Sequence, residues 1–102
     1  MIAISATGKK TRAFMDIRFA RCPYFVFIDE KGTVTLDNPF WEKEEDVASQ
    51  VVNWLKQLGV TKVITGELGP KARNFLLEQK IQIILMDAEK ISIQSIRKKL
   101  NI

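Results

Sequence analysis

Thr61-Lys-Val-Ile-Thr-Gly-Glu-Leu-Gly-Pro-Lys-Ala-Arg-Asn-Phe-Leu-Leu-Glu-Gln79 decides the fold. Thr61 to Thr65 is a short β-branched run, suited to a buried strand. Gly66 and Gly69 permit a tight turn, and Pro70 falls where helices accept proline, at their first position. Ala72, Phe75, Leu76 and Gln79 then follow helical spacing. The unit is strand, glycine turn and helix N-terminus. In open α/β sheets, ligands bind outside the carboxyl ends of the strands, where such junctions lie. The first amides of the helix, those of Lys71 and Ala72, have no partner within it and favour an anion. This junction is the expected floor of a site.

Working outward, the chain of 102 residues is expected to be one domain, 1–102, with one modest core. No apolar run approaches the roughly 20 residues of a membrane span. Met1 to Ala6 leads straight into a strand, without the pattern of a signal peptide. Cys22 is the one cysteine, so no internal disulfide forms and a cytoplasmic location is expected. The net charge of +4 is too small to name nucleic acid as a partner. Histidine is absent, which removes the commonest metal ligand and the commonest general base at neutral pH.

In chain order, Ile2 to Ala6 reads as a buried first strand. Thr7 to Arg21 is basic: Lys9, Lys10, Arg12, Arg18 and Arg21 face only Asp16. So long a connection is usually functional or disordered, and Phe14, Met15, Ile17 and Phe19 argue for order. Pro23 opens a strand over Tyr24 to Asp29, and Glu30-Lys31-Gly32 turns it back as Thr33 to Leu36. Phe40 and Trp41 are expected to fold back over the sheet. Glu42, Glu44, Glu45 and Asp46 suit the first turn of a helix over 44–58, which Gly59 closes. Helices over 70–79 and 92–100 flank a strand over Ile81 to Met86.

The order β-β-β-α-β-α-β-α begins with a hairpin-linked antiparallel trio. Helical crossovers then set the fourth and fifth strands parallel to the first. The expected fold is α/β, a five-stranded mixed sheet in order 3-2-1-4-5 with flanking helices, as in ribonuclease-H-like proteins. In that order the basic loop and the glycine turn leave the sheet at one edge, from neighbouring strands.

Asp16-Ile-Arg-Phe-Ala-Arg-Cys-Pro-Tyr-Phe25 resembles the Asp-x-Arg-Phe-Gly-Arg-[Ala/Cys]-Pro-Tyr-Phe signature of dinitrogenase iron–molybdenum cofactor biosynthesis domains, the NifX/NafY-like group. Asn38-Pro39 falls at that family's Asn-Pro. Leu58-Gly59-Val60 and Val63 to Ala72 are similar to its Gly-Val…Val-Ile-x-Gly-x-x-Gly-Pro-Asn-Ala segment. Ala20 and Lys71 depart from the usual glycine and asparagine. The resemblance implies a non-catalytic carrier that binds an iron–sulfur or molybdenum–iron–sulfur cluster or cofactor precursor, with cluster donor or acceptor proteins as partners.

The residues expected to hold such a cargo are Lys10, Arg12, Arg18, Arg21, Gly66, Gly69 and Lys71, with Cys22 as a single optional metal ligand. Each has a plainer reading beside it. Cys22 entering a strand is more often a small buried hydrophobe than a thiolate. Charge runs in loops are commonly solvated. Phe14 and Phe19 are more often core anchors than stacking platforms. Catalysis is not expected, because Asp16, Asp29, Asp37 and Asp87 are dispersed and no histidine activates a nucleophile. The alternative function is a basic interaction module for nucleic acid or a partner protein.

Overall fold

The central strands of the sheet form where apolar residues run with little interruption, because they are covered on both faces. The computed structural model describes residues 1–10, 12–86 and 90–102. Its elements are β1 (Ile2–Ala6), β2 (Tyr24–Asp29), β3 (Gly32–Asp37), α1 (Val47–Gln57), β4 (Lys62–Thr65), α2 (Pro70–Glu78), β5 (Gln82–Leu85) and α3 (Ile93–Leu100). The sheet order is β3-β2-β1-β4-β5. β1 is antiparallel to β2 and parallel to β4, so the expected α/β arrangement is the one observed. Asp87 lies outside the described residues.

Alternation along each strand divides the core in two. On one face Phe25, Phe27 and Val63 meet Val51 and Leu55 of α1 and Leu76 of α2. Trp54 of α1 sets its ring edge-on to Phe25, Phe27 and Phe40. On the other face Ile4, Val26 and Ile64 pack against Ile93 and Ile96 of α3. Both crossover helices leave from the carboxyl ends of strands and return to their amino ends. The ends of β1 and β4 therefore open at the same edge.

The start of α1 differs from the sequence expectation. The helix begins at Val47, and its first turn contains no acidic residue. Asp46 sits in the left-handed region at φ 55 and makes no side-chain cap, so Glu42 to Asp46 belong to the preceding connection. Phe40 does fold back, against Trp54, whereas Trp41 remains 41% exposed. Phe19 is buried as a core anchor, but Phe14 is 44% exposed.

The helix ends follow one pattern. The amides of Gly59 and Val60 donate to Lys56 O and Leu55 O, a Schellman close with Gly59 at φ 93. At the end of α2 the amides of Lys80 and Ile81 donate to Leu77 O and Leu76 O in the same way, but with Lys80 at φ 59. A side chain in that conformation costs roughly 1–2 kcal/mol, and glycine loses some of that gain through its freer unfolded chain. Lys80→Gly is expected to raise unfolding free energy by about 0.5–1 kcal/mol. Denaturant titration measures it, and an unchanged midpoint would refute the strain at Lys80.

Candidate functional site

Two small polar residues at the ends of parallel strands start the site. Ser5 of β1 and Thr65 of β4 are both fully buried, and their hydroxyls lie 2.7 Å apart. Ser5 Oγ also donates to the Asp16 carbonyl at 2.6 Å, and the Asp16 amide donates back to Ser5 O at 2.9 Å. The basic loop is thereby pinned to the end of β1. One step further, the Glu67 amide donates to Ile17 O at 2.6 Å, which ties the loop to the β4–α2 turn.

Gly66 makes that approach possible. A Cβ on Gly66 would lie 2.7 Å from Ile17 Cα, closer than side chains tolerate. Gly69 is different. It has φ −69 and ψ 162, and a Cβ there would meet nothing within 4 Å. Of the two turn glycines, only Gly66 is required by close packing. The expectation that both shape the turn is corrected for Gly69, whose backbone is ordinary extended chain capping α2.

Asp16 is buried, and its carboxylate accepts three hydrogen bonds from one residue. They come from the Arg18 amide at 2.9 Å, Arg18 Nε at 3.1 Å and the Arg18 terminal nitrogen at 3.0 Å. The carboxylate raises the Arg18 pKa by hydrogen bonding and charge, so this guanidinium stays protonated throughout the accessible range. Arg21 reaches across to the β3–α1 connection and donates to the carbonyls of Trp41 and Lys43. Asn38 clamps the chain between these arginines and β2. Its Nδ2 donates to Ala20 O at 3.0 Å and Cys22 O at 2.8 Å, and its Oδ1 accepts from the Phe40 amide at 3.0 Å.

The result is a cleft of about 640 Å³ whose lining includes Arg18, Arg21, Glu67, Gly69, Lys71 and Ala72. Its floor is the N-terminus of α2, with Pro70 at the first position and no side-chain cap. The amides of Lys71 and Ala72 are therefore left for a ligand. Arg18, Arg21, Lys71 and a positive helix end outweigh the Glu67 carboxylate on the cleft surface and the buried Asp16 carboxylate behind Arg18.

The structure brings Arg18, Arg21, Gly69 and Lys71 together, with Gly66 directly behind them. It sends the first half of the basic loop elsewhere. Lys10 lines a depression on the α3 face with Lys9, Thr33 and Arg97. Lys9 bridges Asp37 at 3.1 Å, and Arg12 is exposed. Cys22 is wholly buried, and its thiol donates to Phe19 O at 3.1 Å. Burial pushes the thiol up to about 12, so no thiolate faces the cleft at neutral pH.

Asp16, Glu67, Ser5, Thr65 and Asn38 were absent from the residues expected at the site. Ser5 and Thr65 carried a signal, as hydroxyls at the ends of apolar strands. Asn38 carried one in its Asn-Pro pair. The described residues contain no group of three or more Cys, Asp or Glu placed to bind a metal ion. No helix among them is long and apolar enough to cross a membrane.

The model of a family described as dinitrogenase iron–molybdenum cofactor matches residues 1–101. The structure is similar to that of the apo form of the orange protein from Desulfovibrio gigas. The TM-score is 0.86 at 26% sequence identity, over 98% of this chain and 86% of that one. It is also similar in fold to the NMR structure of a putative NifB protein from Thermotoga, with TM-score 0.82 and 24% identity over 98% of this chain and 85% of the other. No curated protein matches at the same stringency.

Proposed function

The chain belongs to the dinitrogenase iron–molybdenum cofactor family, and from that premise we propose that it is a non-catalytic carrier whose cargo is an anionic metal–sulfide cluster or cofactor precursor. The observation that carries this reading is convergence on one cleft: Arg18, Arg21 and Lys71 surround the uncapped N-terminus of α2. The donor set fits an anion and does not fit a coordinated ion. With no cluster of ligating side chains among the described residues, the cargo keeps its own ligands and is held from outside.

Arg18 is the main contact. Asp16 fixes its guanidinium by two hydrogen bonds and leaves the side chain 58% exposed, so the remaining N–H groups are aimed without being consumed. A planar fork suits sulfide, oxo or thiomolybdate edges better than an ammonium group does. Lys71 and the first amides of α2 complete the shell from below. Glu67 faces the same cleft and limits how much negative charge accumulates there. A cargo held by charge and hydrogen bonds, without a covalent link, can pass to an acceptor protein. The apo form of the similar orange protein supports reading this fold as one that takes up and releases a ligand.

Anaerobic incubation with iron–sulfide or tetrathiomolybdate, followed by desalting and metal analysis, tests the proposal. Wild type is expected to retain metal in visibly absorbing form. Arg18→Ala combined with Lys71→Ala is expected to weaken retention by at least about tenfold, while Lys10→Ala and Arg12→Ala, away from the cleft, leave it unchanged. Wild-type protein that keeps no metal above a buffer control would end the carrier reading. Equal loss in all variants would indicate diffuse attraction by net charge instead of this cleft.

A further inference from the structure

The sheet has an outer edge at β3 against which no described strand pairs, and this edge is chemically unusual. Between Lys31 and Asp37 it carries Gly-Thr-Val-Thr-Leu, with no charged residue to discourage pairing. Val34 and Leu36 are 57% and 39% exposed, on the same face as half-exposed Met1 and Leu58. With Phe27 these residues line a shallow groove of about 410 Å³. We propose that β3 pairs antiparallel with β3 of a second copy of this chain, centred on Val34, to give a symmetric dimer with a continuous ten-stranded sheet (twice the five of one chain).

Backbone geometry and charge together choose that register. The turn of two residues at Glu30-Lys31 makes Asp29 and Gly32 a hydrogen-bonded pair, so Val34 opposite Phe27 and Leu36 opposite Phe25 also bond to β2. The Asn38 amide continues the series by donating to Pro23 O. The even residues thus spend their backbone groups inward, and Thr33, Thr35 and Asp37 present theirs to the outside. An antiparallel partner must pair odd residues with odd residues.

Centring on Val34 sets Thr33 against Thr35 of the second copy, twice, and places each Lys31 level with Asp37 of the other chain. Centring on Thr33 would set Asp29 against Asp37, a like-charge pair. Centring on Thr35 would set Lys31 against Pro39, which has no amide to give. Only the Val34 register gives two opposite-charge pairs. The Thr33–Thr35 pairs exchange both backbone bonds, while Lys31, whose amide is held by Asp29 Oδ1, offers its carbonyl to the Asp37 amide and its ammonium to a carboxylate shared with Lys9. It also covers the exposed Val34 and Leu36 side chains, with Leu36 lying over Gly32 of the second copy. The isologous contact closes on itself, leaving β5 at both ends and both clefts free. Its area is short of a standard stable interface, so the dimer is weak and concentration-dependent.

Sedimentation velocity over a concentration series is expected to show monomer and dimer in exchange. Lys31→Glu, which places like charges opposite each other twice, is expected to weaken the dimer roughly tenfold. Val34→Cys fixes the register, because residues facing across the two-fold axis in a non-hydrogen-bonded pair can form a disulfide. Cys22, being buried, does not compete. Mild oxidation is expected to link Val34→Cys into a covalent dimer in high yield and Thr35→Cys only poorly. A chain that stays monomeric at millimolar concentration overturns the proposal. Preferential linkage through Thr35→Cys overturns the register.

Discussion

Gly66→Ala is expected to lower stability by about 3 kcal/mol, the upper end of what an overpacked site costs, and Gly69→Ala is expected to change it by less than about 0.5 kcal/mol. The added methyl at Gly66 would stand 2.7 Å from a backbone Cα of Ile17 and 2.8 Å from its Cβ, where no flexible side-chain end can move aside. The loop must retreat, and the bond from the Glu67 amide to Ile17 O is the first to lengthen. Arg18 follows Ile17 and moves away from Lys71, so cargo retention falls along with stability. At Gly69 the methyl enters open space, and its small capping penalty is offset by reduced freedom in the unfolded chain. Chemical denaturation of the two variants measures the contrast. Equal losses would mean that the turn needs glycine for flexibility, and that the contact with Ile17 is incidental.

The same contact shows how far the sequence could be read. Strand, glycine turn and helix were legible in Thr61 to Gln79 because apolar spacing, two glycines and Pro70 agree there. Sheet order followed from connectivity: a hairpin forces β1, β2 and β3 to alternate, and helical crossovers force β4 and β5 parallel to β1. The basic loop was legible as a unit, but not its division. It crosses the end of β1, so Lys9 and Lys10 descend on the α3 face while Arg18 and Arg21 descend on the α2 face. Proximity in sequence carries no information about which side of a sheet a residue reaches. The acidic run before α1 misled for a related reason. Glu42 to Asp46 match a helix dipole in composition, yet the left-handed Asp46 keeps them outside the helix. Asp16 was visible as a counter-charge and as the first residue of the signature, but not as a fixture. Its burial, and the three bonds that make it the fixture for Arg18, come from tertiary packing against Ser5.

Cys22 gives the strongest expected pH effect. Its thiol is wholly buried beside Phe19 and Phe25 in the α1–α2 core, and burial raises it from the usual 9.0 to about 12. An acid whose folded value is raised stabilises the fold while it stays protonated. That contribution is complete below about pH 9 and is lost as pH rises toward 12. A gap of three units corresponds to a loss on the order of 4 kcal/mol across the window. The informative quantity is the difference between wild type and Cys22→Ala, which share every other titratable group. The variant loses some packing at neutral pH but lacks the thiol, so its alkaline decline is expected to be shallower and the two curves to converge or cross. Parallel curves would show that the thiol ionises in the folded protein without penalty, and that it can reach solvent. The same variant separates the two ways of holding a cargo. Retention of metal by Cys22→Ala at the wild-type level is expected from a cleft that works through Arg18, Lys71 and backbone amides. Abolished retention in a Cys22→Ala protein that remains folded would mean that the cluster is coordinated by sulfur after the core opens, and that the arginines serve only to attract it.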